Sequence, residues 1–325
     1  MSESAIGFVA IGRNEGERFK RCLASLQRGG ARIVYVDSGS ADDSVAHVRE
    51  NGAVVVELST DQPFTAARAR NEGFAALLRQ WPDTGLVMFI DGDCELVDGF
   101  AQAAAAALKE FSMVAIVTGR CRERSPDATI YNRLCEIEWN GPTGDIDACG
   151  GIFMVRADVF RTVGGFNPDV IAAEDDDFCF RVRESGARIT RIDRDMCLHD
   201  ADMHRFSQWF RRMARAGHAY AQLGELHPGY FRAQRLRAWG WGLALPAVSI
   251  IAVPFTKGLS LALLLLYPLS LVRTRAGLVR QGTAAKHATL AAAFMTLSKF
   301  PNLAGMLDYY RKKLSGRKIG IVEYK

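Results

Sequence analysis

Residues 86–95 read LVMFIDGDCE, in which five apolar residues run directly into two carboxylates that are one residue apart. An apolar run of this length without a polar break predicts a strand buried on both faces, as in a mostly parallel sheet. Acids just past the carboxyl end of such a strand lie where open α/β sheets bind ligands. Asp91 and Asp93 offer hard oxygen donors, which suit Mg²⁺ or Mn²⁺ held together with a phosphate. A strand-ending turn with solvated acids is the simpler interpretation of the same motif.

The residues around this strand alternate between apolar runs and helical spacing. Apolar runs at residues 5–12, 33–36 and 54–58 predict three more strands, and the spacing of residues 15–27 and 64–81 predicts helices. Such alternation predicts a doubly wound α/β sheet with right-handed crossovers. The chain has neither a Gly-x-Gly-x-x-Gly after its first strand nor a Gly-Lys-Ser/Thr, which disfavours dinucleotide oxidoreductases and P-loop nucleotidases.

Four further motifs place polar or flexible residues at predicted strand or helix ends. Asp37 ends the second strand, and Gly150-Gly151 opens an apolar strand, where a glycine pair permits close approach of a substrate or forms a simple bulge. The acids at residues 174–177 lead into a helix, where they either favour the helix dipole or raise one another's pKa at a functional site. His199 follows an apolar triplet, although a lone histidine is more often structural.

The charge of the chain is unevenly distributed. Its net charge is +5, but residues 205–325 carry 19 Lys and Arg against 3 Asp and Glu, which leaves residues 1–204 acidic. Long apolar runs interrupt the basic part, which favours an anionic membrane surface over nucleic acid as its partner.

The seven scattered cysteines include no Cys-x-x-Cys, which argues against a zinc site and a disulfide framework. No signal sequence precedes the first strand, so we expect the catalytic part to stay in the cytoplasm.

Two apolar runs near the end, residues 243–256 and 259–272, are each about 14 residues long. A helix that crosses a bilayer needs about 20. The pair therefore predicts a re-entrant or interfacial hairpin, with two short tilted spans or a buried helical pair as alternatives. Arginines on both sides predict that both ends face the cytoplasm. A third apolar stretch, residues 287–306, predicts another helix on the membrane surface.

The order of the motifs resembles that of the family 2 glycosyltransferases of the GT-A fold. The motifs are Asp37 in VDSGS, Asp91-Gly92-Asp93, Gly150-Gly151, VGGF at 163–166, EDDD at 174–177 with Arg181, and His199. The resemblance covers about residues 5–215 and implies a GT-A-type, mostly parallel sheet. It also implies transfer of a sugar from a nucleoside-diphosphate donor, such as a UDP- or GDP-sugar, with inversion. Glu323-Tyr324-Lys325 at the end is similar to the bacterial exopolysaccharide-type members.

The resemblance implies a role for each motif. Asp175 is the expected general base, which takes the proton of the attacking sugar hydroxyl. Asp93 is the expected ligand of Mn²⁺ or Mg²⁺, and His199 helps to hold the metal or the leaving diphosphate. The expected nucleotide contacts are Asp37, Asp91 and either Arg68 or Arg70. The expected acceptor contacts are Gly150, Gly151, Glu174 and Asp176.

The sequence as a whole predicts a glycosyltransferase domain at residues 1–237 and a membrane-associated helical region at residues 238–325. We expect a hexose to pass to a lipid-linked, polyprenyl-type or polysaccharide acceptor at the cytoplasmic face of the inner membrane, in cell-surface polysaccharide biosynthesis. In processive synthases a tryptophan directly follows the residue that corresponds to Arg211. Gln208 and Arg211 keep the spacing of that motif here, but no tryptophan follows, which favours a single transfer per acceptor. The alternatives are a metal-dependent nucleotidyltransferase, which would release pyrophosphate, and a non-catalytic membrane scaffold with a degenerate transferase domain.

Overall fold

The structure, a computed structural model, describes residues 5–316 of the chain. The expectations drawn from the first residues and from Glu323-Tyr324-Lys325 therefore lie outside the described residues. The chain forms two compact units. Unit 1 comprises Met1–Ser125, Glu138–Val170 and Glu174–Ala201, and unit 2 comprises Pro126–Ile137, Ile171–Ala173 and Asp202–Lys325. The domain boundary at residue 237 stays a prediction.

The secondary structure alternates through unit 1 and is helical through most of unit 2. The strands are β1 (Ala5–Gly12), β2 (Ile33–Asp37), β3 (Val54–Glu57), β4 (Thr84–Asp91), β5 (Cys94–Leu96), β6 (Val114–Glu123), β7 (Gly144–Asp145), β8 (Phe153–Arg156) and β9 (Arg188–His199). The first helices are α1 (Glu17–Gly29), α2 (Ser44–Glu50), α3 (Ala66–Gln80), α4 (Phe100–Glu110), α5 (Ile130–Trp139), α6 (Ala157–Val163) and α7 (Glu174–Glu184). The remaining helices are α8 (Phe206–Leu226), α9 (Arg232–Trp239), α10 (Leu245–Ile251), α11 (Val253–Thr256), α12 (Leu266–Arg280), α13 (Ala285–Leu297) and α14 (Lys299–Leu314). A π-helical turn (Gly240–Ala244) precedes α10, and a 3₁₀ segment (Leu259–Leu265) precedes α12.

The strands of unit 1 form one mixed sheet in the order β3-β2-β1-β4-β8-β6-β9-β5, with β7 paired to β9. Strands β3, β2, β1 and β4 are mutually parallel, as are β6 and β9, whereas β8 runs antiparallel to both of its neighbours. The expected mostly parallel, doubly wound sheet is therefore confirmed, and a short antiparallel section extends it on one side.

Successive side chains along the central strands lie in two different hydrophobic cores, one on each face of the sheet. Met88 and Ile90 of β4 join the core formed with α1, α2 and α4, whereas Val87 and Phe89 join the core formed with α3, α6 and α7. Because side chains along a strand point to opposite faces, a central strand covered on both sides must be apolar at every position. This explains the unbroken apolar run that ends at Asp91.

The structure extends the predicted elements at one important place. Residues 188–192 also read as a strand in the sequence, but β9 continues to His199 and its end pairs with β5. The three-residue strand β5 was not predicted, because its alternation Cys-Glu-Leu is too short to stand out. Together these two strands place Cys94 opposite His199.

A buried ion pair fixes the start of α7. Asp177 is fully buried, and its carboxylate accepts hydrogen bonds from Arg181 Nε at 2.9 Å and Nη2 at 2.7 Å. The same guanidinium donates to the carbonyl oxygens of Val163 at 2.8 Å and Gly165 at 2.7 Å, at the end of α6. The last of the four adjacent acids therefore has a structural role, which leaves the preceding three for other functions.

Unit 2 is built on the packing of α14 against α8. Its core contains Ala221, Ala238, Leu303, Met306 and Tyr309. The third apolar stretch of the sequence does not form one surface helix: it is divided between α13 and α14, and Ala288, Ala291, Ala292, Leu303 and Met306 are buried.

Among residues 5–316, one helical segment, Leu259–Arg280, is long and apolar enough to span a bilayer by length and composition. None of its apolar window is buried in the structure.

The Asp177–Arg181 pair gives a prediction about stability. Replacing Asp177 with Ala should lower the free energy of unfolding by about 3 kcal/mol, because it leaves a partly buried guanidinium without its carboxylate. Glu184→Ala is the matched control, since Glu184 lies exposed on the same helix and should change stability by no more than about 0.5 kcal/mol. Urea unfolding of both variants measures the difference, and equal stabilities would contradict the structural role of Asp177.

Candidate active site

Parallel pairing brings two of the predicted acids to one edge of the sheet. Asp37 ends β2 opposite Gly12, and Asp91 ends β4 opposite Ile11, so that only β1 separates the two strands. Asp37 is buried, and its Oδ2 accepts the backbone N–H groups of Gly39 at 2.9 Å and Ser40 at 2.8 Å. This edge, at the carboxyl ends of parallel strands, is where open α/β sheets bind their ligands.

Arg70, on α3, joins this edge to the acids of α7. Its side chain is only 3% exposed. Its Nη2 donates to Asp91 Oδ1 and its Nη1 to Glu174 Oε1, both at 2.7 Å. The guanidinium also lies 5.4 Å from the ring centroid of Phe166, within reach of a cation–π contact. A buried charge is tolerated when it is paired and hydrogen-bonded, and here two carboxylates share one cation.

The glycine pair before β8 packs directly on this cluster. A Cβ atom built on Gly151 would come within 2.0 Å of Arg70 Nη2, so the guanidinium occupies the space that any other side chain would need. A Cβ on Gly150 would meet only Asp175 Oδ2, at an ordinary contact distance of 4.0 Å. Gly151 is therefore required for the position of Arg70, whereas Gly150 leaves room beside the Asp175 carboxylate.

Asp175 lies at the first turn of α7, between two other acids. Its Oδ1 accepts the backbone N–H of Asp176 at 2.9 Å. Burial, and then the charges of Glu174 and Asp176, raise the pKa of Asp175 well above its ordinary value, and Arg70 opposes this only in part. A carboxyl group with a raised pKa is a stronger base than a solvated aspartate, which suits proton abstraction.

The second carboxylate of the strand-end motif faces a histidine. Asp93 is 6% exposed, and its Oδ1 lies 3.5 Å from His199 Nε2. The indole of Trp139 packs edge-on against the imidazole, with the centroids 4.5 Å apart. The thiol of Cys94 also approaches Asp93 Oδ1, at 3.4 Å.

The Asp93, Cys94 and His199 side chains fit a divalent metal. Their ligand atoms all lie within 4.8 Å of one another. A carboxylate and an imidazole that converge in this way can share one ion such as Mn²⁺. The thiol is a softer ligand than Mn²⁺ or Mg²⁺ prefers, so Asp93 and His199 are the better donors for those ions.

The structure brings most of the sequence-predicted residues together. Asp91, Arg70, Glu174, Gly151, Gly150 and Asp175 form one connected cluster, and Asp93 follows Asp91 by two residues. Arg68 bonds a different part of the chain: its Nη1 donates to the carbonyl oxygens of Ser59 at 3.0 Å and Gln62 at 2.9 Å. The roles of these residues toward nucleotide, metal and acceptor stay predictions.

Two residues of the site and one link between its residues were not predicted from the sequence. Cys94 follows Asp93 directly, so its presence at the site could have been expected from adjacency alone. Trp139 carried no signal in the sequence, because it lies sixty residues before the histidine it contacts. Arg70 is 21 residues from Asp91 and 104 residues from Glu174 in the sequence. Only the folded chain reveals that it joins these two acids.

The contact between Gly151 and Arg70 gives a second prediction. Gly151→Ala should lower the free energy of unfolding by about 1–3 kcal/mol, because the new methyl group displaces the buried guanidinium from its two carboxylates. Gly150→Ala, one residue away, should change it by about 0.5 kcal/mol or less. Thermal unfolding of both variants measures the difference, and an equal effect would show that Gly151 does not support Arg70.

Comparisons with known proteins identify the type of domain. Residues 9–164 match the family described as Glycosyl transferase family 2, and residues 133–205 match the N-terminal domain of galactosyltransferase. The chain is 28% identical over 271 residues to a pre-mycofactocin glycosyltransferase of Mycobacterium tuberculosis, which covers 74% of this chain. The chain spans about half, 54%, of that relative's length.

Two solved structures share the fold at low sequence identity. A mannosyltransferase from Pyrobaculum calidifontis, solved in complex with GDP-Man and Mn²⁺, has a TM-score of 0.58 and 17% identity, over 94% of this chain and 88% of that one. S. aureus TarS 1–349 has a TM-score of 0.51 and 13% identity, over 96% of this chain and 92% of that one. The chain therefore contains a family 2 glycosyltransferase domain, at residues 9–164, on a fold of the GT-A type.

Proposed function

We propose that this chain transfers a hexose from a UDP- or GDP-sugar, with inversion and with the help of Mn²⁺ or Mg²⁺. The acceptor would be a lipid-linked sugar of the polyprenyl type or a polysaccharide, at the cytoplasmic face of the inner membrane. One observation carries the proposal: the buried Arg70 joins the strand-end acid Asp91 to Glu174, beside Asp175. A donor-binding edge and a candidate base are thereby held in one cluster.

The donor would bind along the carboxyl ends of β2, β1 and β4. Asp37 and Asp91 are the acids at these strand ends and are proposed to contact the nucleoside. Arg68 remains a proposed nucleotide contact. For Arg70 we propose a positioning role in place of direct contact, because both of its terminal nitrogens already bond carboxylates.

Asp93 and His199 would hold the metal, and their 3.5 Å approach supports this assignment. A bound divalent ion supplies positive charge to the diphosphate that leaves with the nucleoside. Trp139 would keep the imidazole in place through its edge-on contact. The protein thereby orients the leaving group before the acceptor attacks.

Asp175 would accept the proton of the acceptor hydroxyl as that oxygen attacks the anomeric carbon. A sugar hydroxyl is a weak nucleophile, so a positioned base lowers the barrier. The open space at Gly150 lies within contact distance of the Asp175 carboxylate and would admit the acceptor. Glu174 is bonded to Arg70, and burial, followed by the charges of Glu174 and Asp176, keeps the pKa of Asp175 high.

A lipid acceptor is supported by the exposed apolar surface of unit 2. The helical segment Leu259–Arg280 is long and apolar enough for a membrane, and basic residues surround it. Anionic lipids attract such residues by about 1 kcal/mol each near the surface. The glycosyltransferase relative and the GDP-Man complex are consistent with a nucleotide-sugar donor. The proposal of a lipid acceptor is supported only by this apolar surface.

Two variants test the proposed roles. Asp93→Ala should abolish sugar transfer because the diphosphate loses the charge that offsets its own, and Asp175→Asn should do so because the hydroxyl keeps its proton. Losses of at least about 100-fold are expected for each. Glu184→Gln, at the far end of α7, is the control and should transfer at the wild-type rate. A variant that keeps near-wild-type turnover would refute the role of that residue.

The pH dependence gives an independent test of Asp175. Because its pKa is raised and the base must be deprotonated, transfer should fail on acidification at a pH well above the ordinary aspartate value of about 3.9. Asp176→Asn removes a neighbouring negative charge, so the acid limb of the kcat profile should move to lower pH. An unmoved limb would contradict Asp175 as the titrating base.

The products separate the proposal from its rivals. A glycosyltransferase releases a free nucleoside diphosphate from its donor, whereas a nucleotidyltransferase releases pyrophosphate. A panel of nucleotide sugars, incubated with Mn²⁺ and a membrane lipid extract, should yield UDP or GDP. Pyrophosphate would favour the nucleotidyltransferase, and the absence of any product with a bound nucleotide would favour a scaffold.

A further inference from the structure

The apolar end of unit 2 folds as a helical hairpin, here defined as residues 241–272. One arm comprises the π-helical turn, α10 and α11, and the other comprises the 3₁₀ segment and the first half of α12. Lys257 and Gly258 have φ angles of 51° and 89°, and these two left-handed residues reverse the chain. The Tyr267 hydroxyl donates to the Trp241 carbonyl and ties the arms together at the open end.

Three hydroxyl side chains near the tip of the hairpin bond within it. The Ser260 hydroxyl donates across to the Ser249 carbonyl at 2.8 Å, and the Ser249 hydroxyl donates to the Leu245 carbonyl at 2.7 Å. The Thr256 hydroxyl donates to the Ala252 carbonyl at 2.8 Å. Hydroxyls satisfied in this way can enter hydrocarbon, where no water is present to pair with them.

The outer surface of the hairpin is apolar. Phe255 is 84% exposed and Leu259 is 78% exposed, and Ile250, Ile251, Leu265 and Leu269 are also mostly exposed. Lys257 at the tip is the single charged residue in residues 243–272. A contiguous apolar surface of this kind marks an interaction site rather than an ordinary exposed face.

The positive charge around the hairpin favours an anionic partner. Residues 226–307 contain nine Lys and Arg residues and no Asp or Glu. A second copy of this face would bring cations against cations, whereas anionic lipid head groups would neutralise them. Arg237 and Arg273 flank the two arms at the open end, so this charge lies where the apolar surface stops.

The length of the arms limits how deeply the hairpin can enter. From Trp241 to Lys257 the first arm is about 24 Å long at 1.5 Å per residue, and the second arm, whose 3₁₀ segment rises about 2.0 Å per residue, is of similar length. The hydrocarbon core of a bilayer is about 30 Å thick. Extending the second arm to Arg280 would carry Arg273 and Arg275 into hydrocarbon, and burying the charge of Lys257 at the tip is also unfavourable.

We propose that residues 241–272 insert into one leaflet of an anionic membrane and lie along its interface, with Lys257 and both flanks on the same side. The inference rests on the proposed membrane association and deepens it, because it excludes a bilayer-spanning anchor. The apolar residues occupy the acyl boundary, and the lysine stem of Lys257 carries its ammonium group back to the head groups.

The full chain, added to preformed vesicles, tests the proposal. Binding to vesicles that contain phosphatidylglycerol should be at least about tenfold tighter than binding to phosphatidylcholine vesicles. Phe255→Gln and Leu259→Gln should each weaken binding about tenfold. Met113→Gln is the matched control, since Met113 is an exposed apolar residue of unit 1, and it should bind as the wild type does.

The side of the membrane that Lys257 faces decides between one leaflet and a span. Lys257→Cys should react with a membrane-impermeant maleimide added outside the vesicles and not with the same reagent sealed inside. Six native cysteines are buried and Cys121 is partly buried, so the wild-type chain gives the background. Labelling by the sealed reagent would overturn the one-leaflet hairpin.

Two other results would also overturn the inference. If Phe255→Gln and Leu259→Gln bind as tightly as Met113→Gln, the hairpin is not the membrane surface. If the wild-type chain binds no vesicle, the result refutes both the insertion of the hairpin and the proposed membrane association. Titration with UDP and GDP in the presence of Mn²⁺ reports on the donor site alone, so failure there contradicts the transferase proposal and leaves the hairpin standing.

Discussion

The site depends on one buried cation held between two carboxylates. Arg70 could not remain charged and almost fully buried unless Asp91 and Glu174 both bonded it, and neither carboxylate lies near it in sequence. The requirement works in both directions, because the cation also permits two acids to lie close together at the end of the sheet. Gly151 contributes by leaving the space that the guanidinium occupies.

This constraint explains how acids from distant parts of the chain reach one place. Asp91 belongs to the parallel half of the sheet, and Asp175 belongs to a helix that Asp177 and Arg181 fix to the end of α6. Arg70 connects the two halves, so that a donor at the strand ends and an acceptor beside Gly150 would meet in a fixed geometry. Such preorganisation is what a reaction between two bound sugars requires.

The sequence predicted the parts that have local causes. The central strand, its acids and the doubly wound sheet follow from apolar runs and their spacing, and His199 was singled out although only the first part of its strand was predicted. The contacts that assemble the site could not be predicted, because β5 is only three residues long and Trp139 and Arg70 act across large separations. The third apolar stretch was misjudged because buried alanines that pack helix on helix resemble a membrane surface in composition.

The most direct test of the central claim is a crystal structure of the chain with a nucleoside diphosphate and Mn²⁺ bound. We expect Arg70 to keep both carboxylates within about 3 Å, a charge-assisted hydrogen-bond distance, while the ion contacts Asp93 and His199. A guanidinium turned away from Asp91 and Glu174 onto the diphosphate would contradict the positioning role. An ion bound away from Asp93 would contradict the proposed metal site.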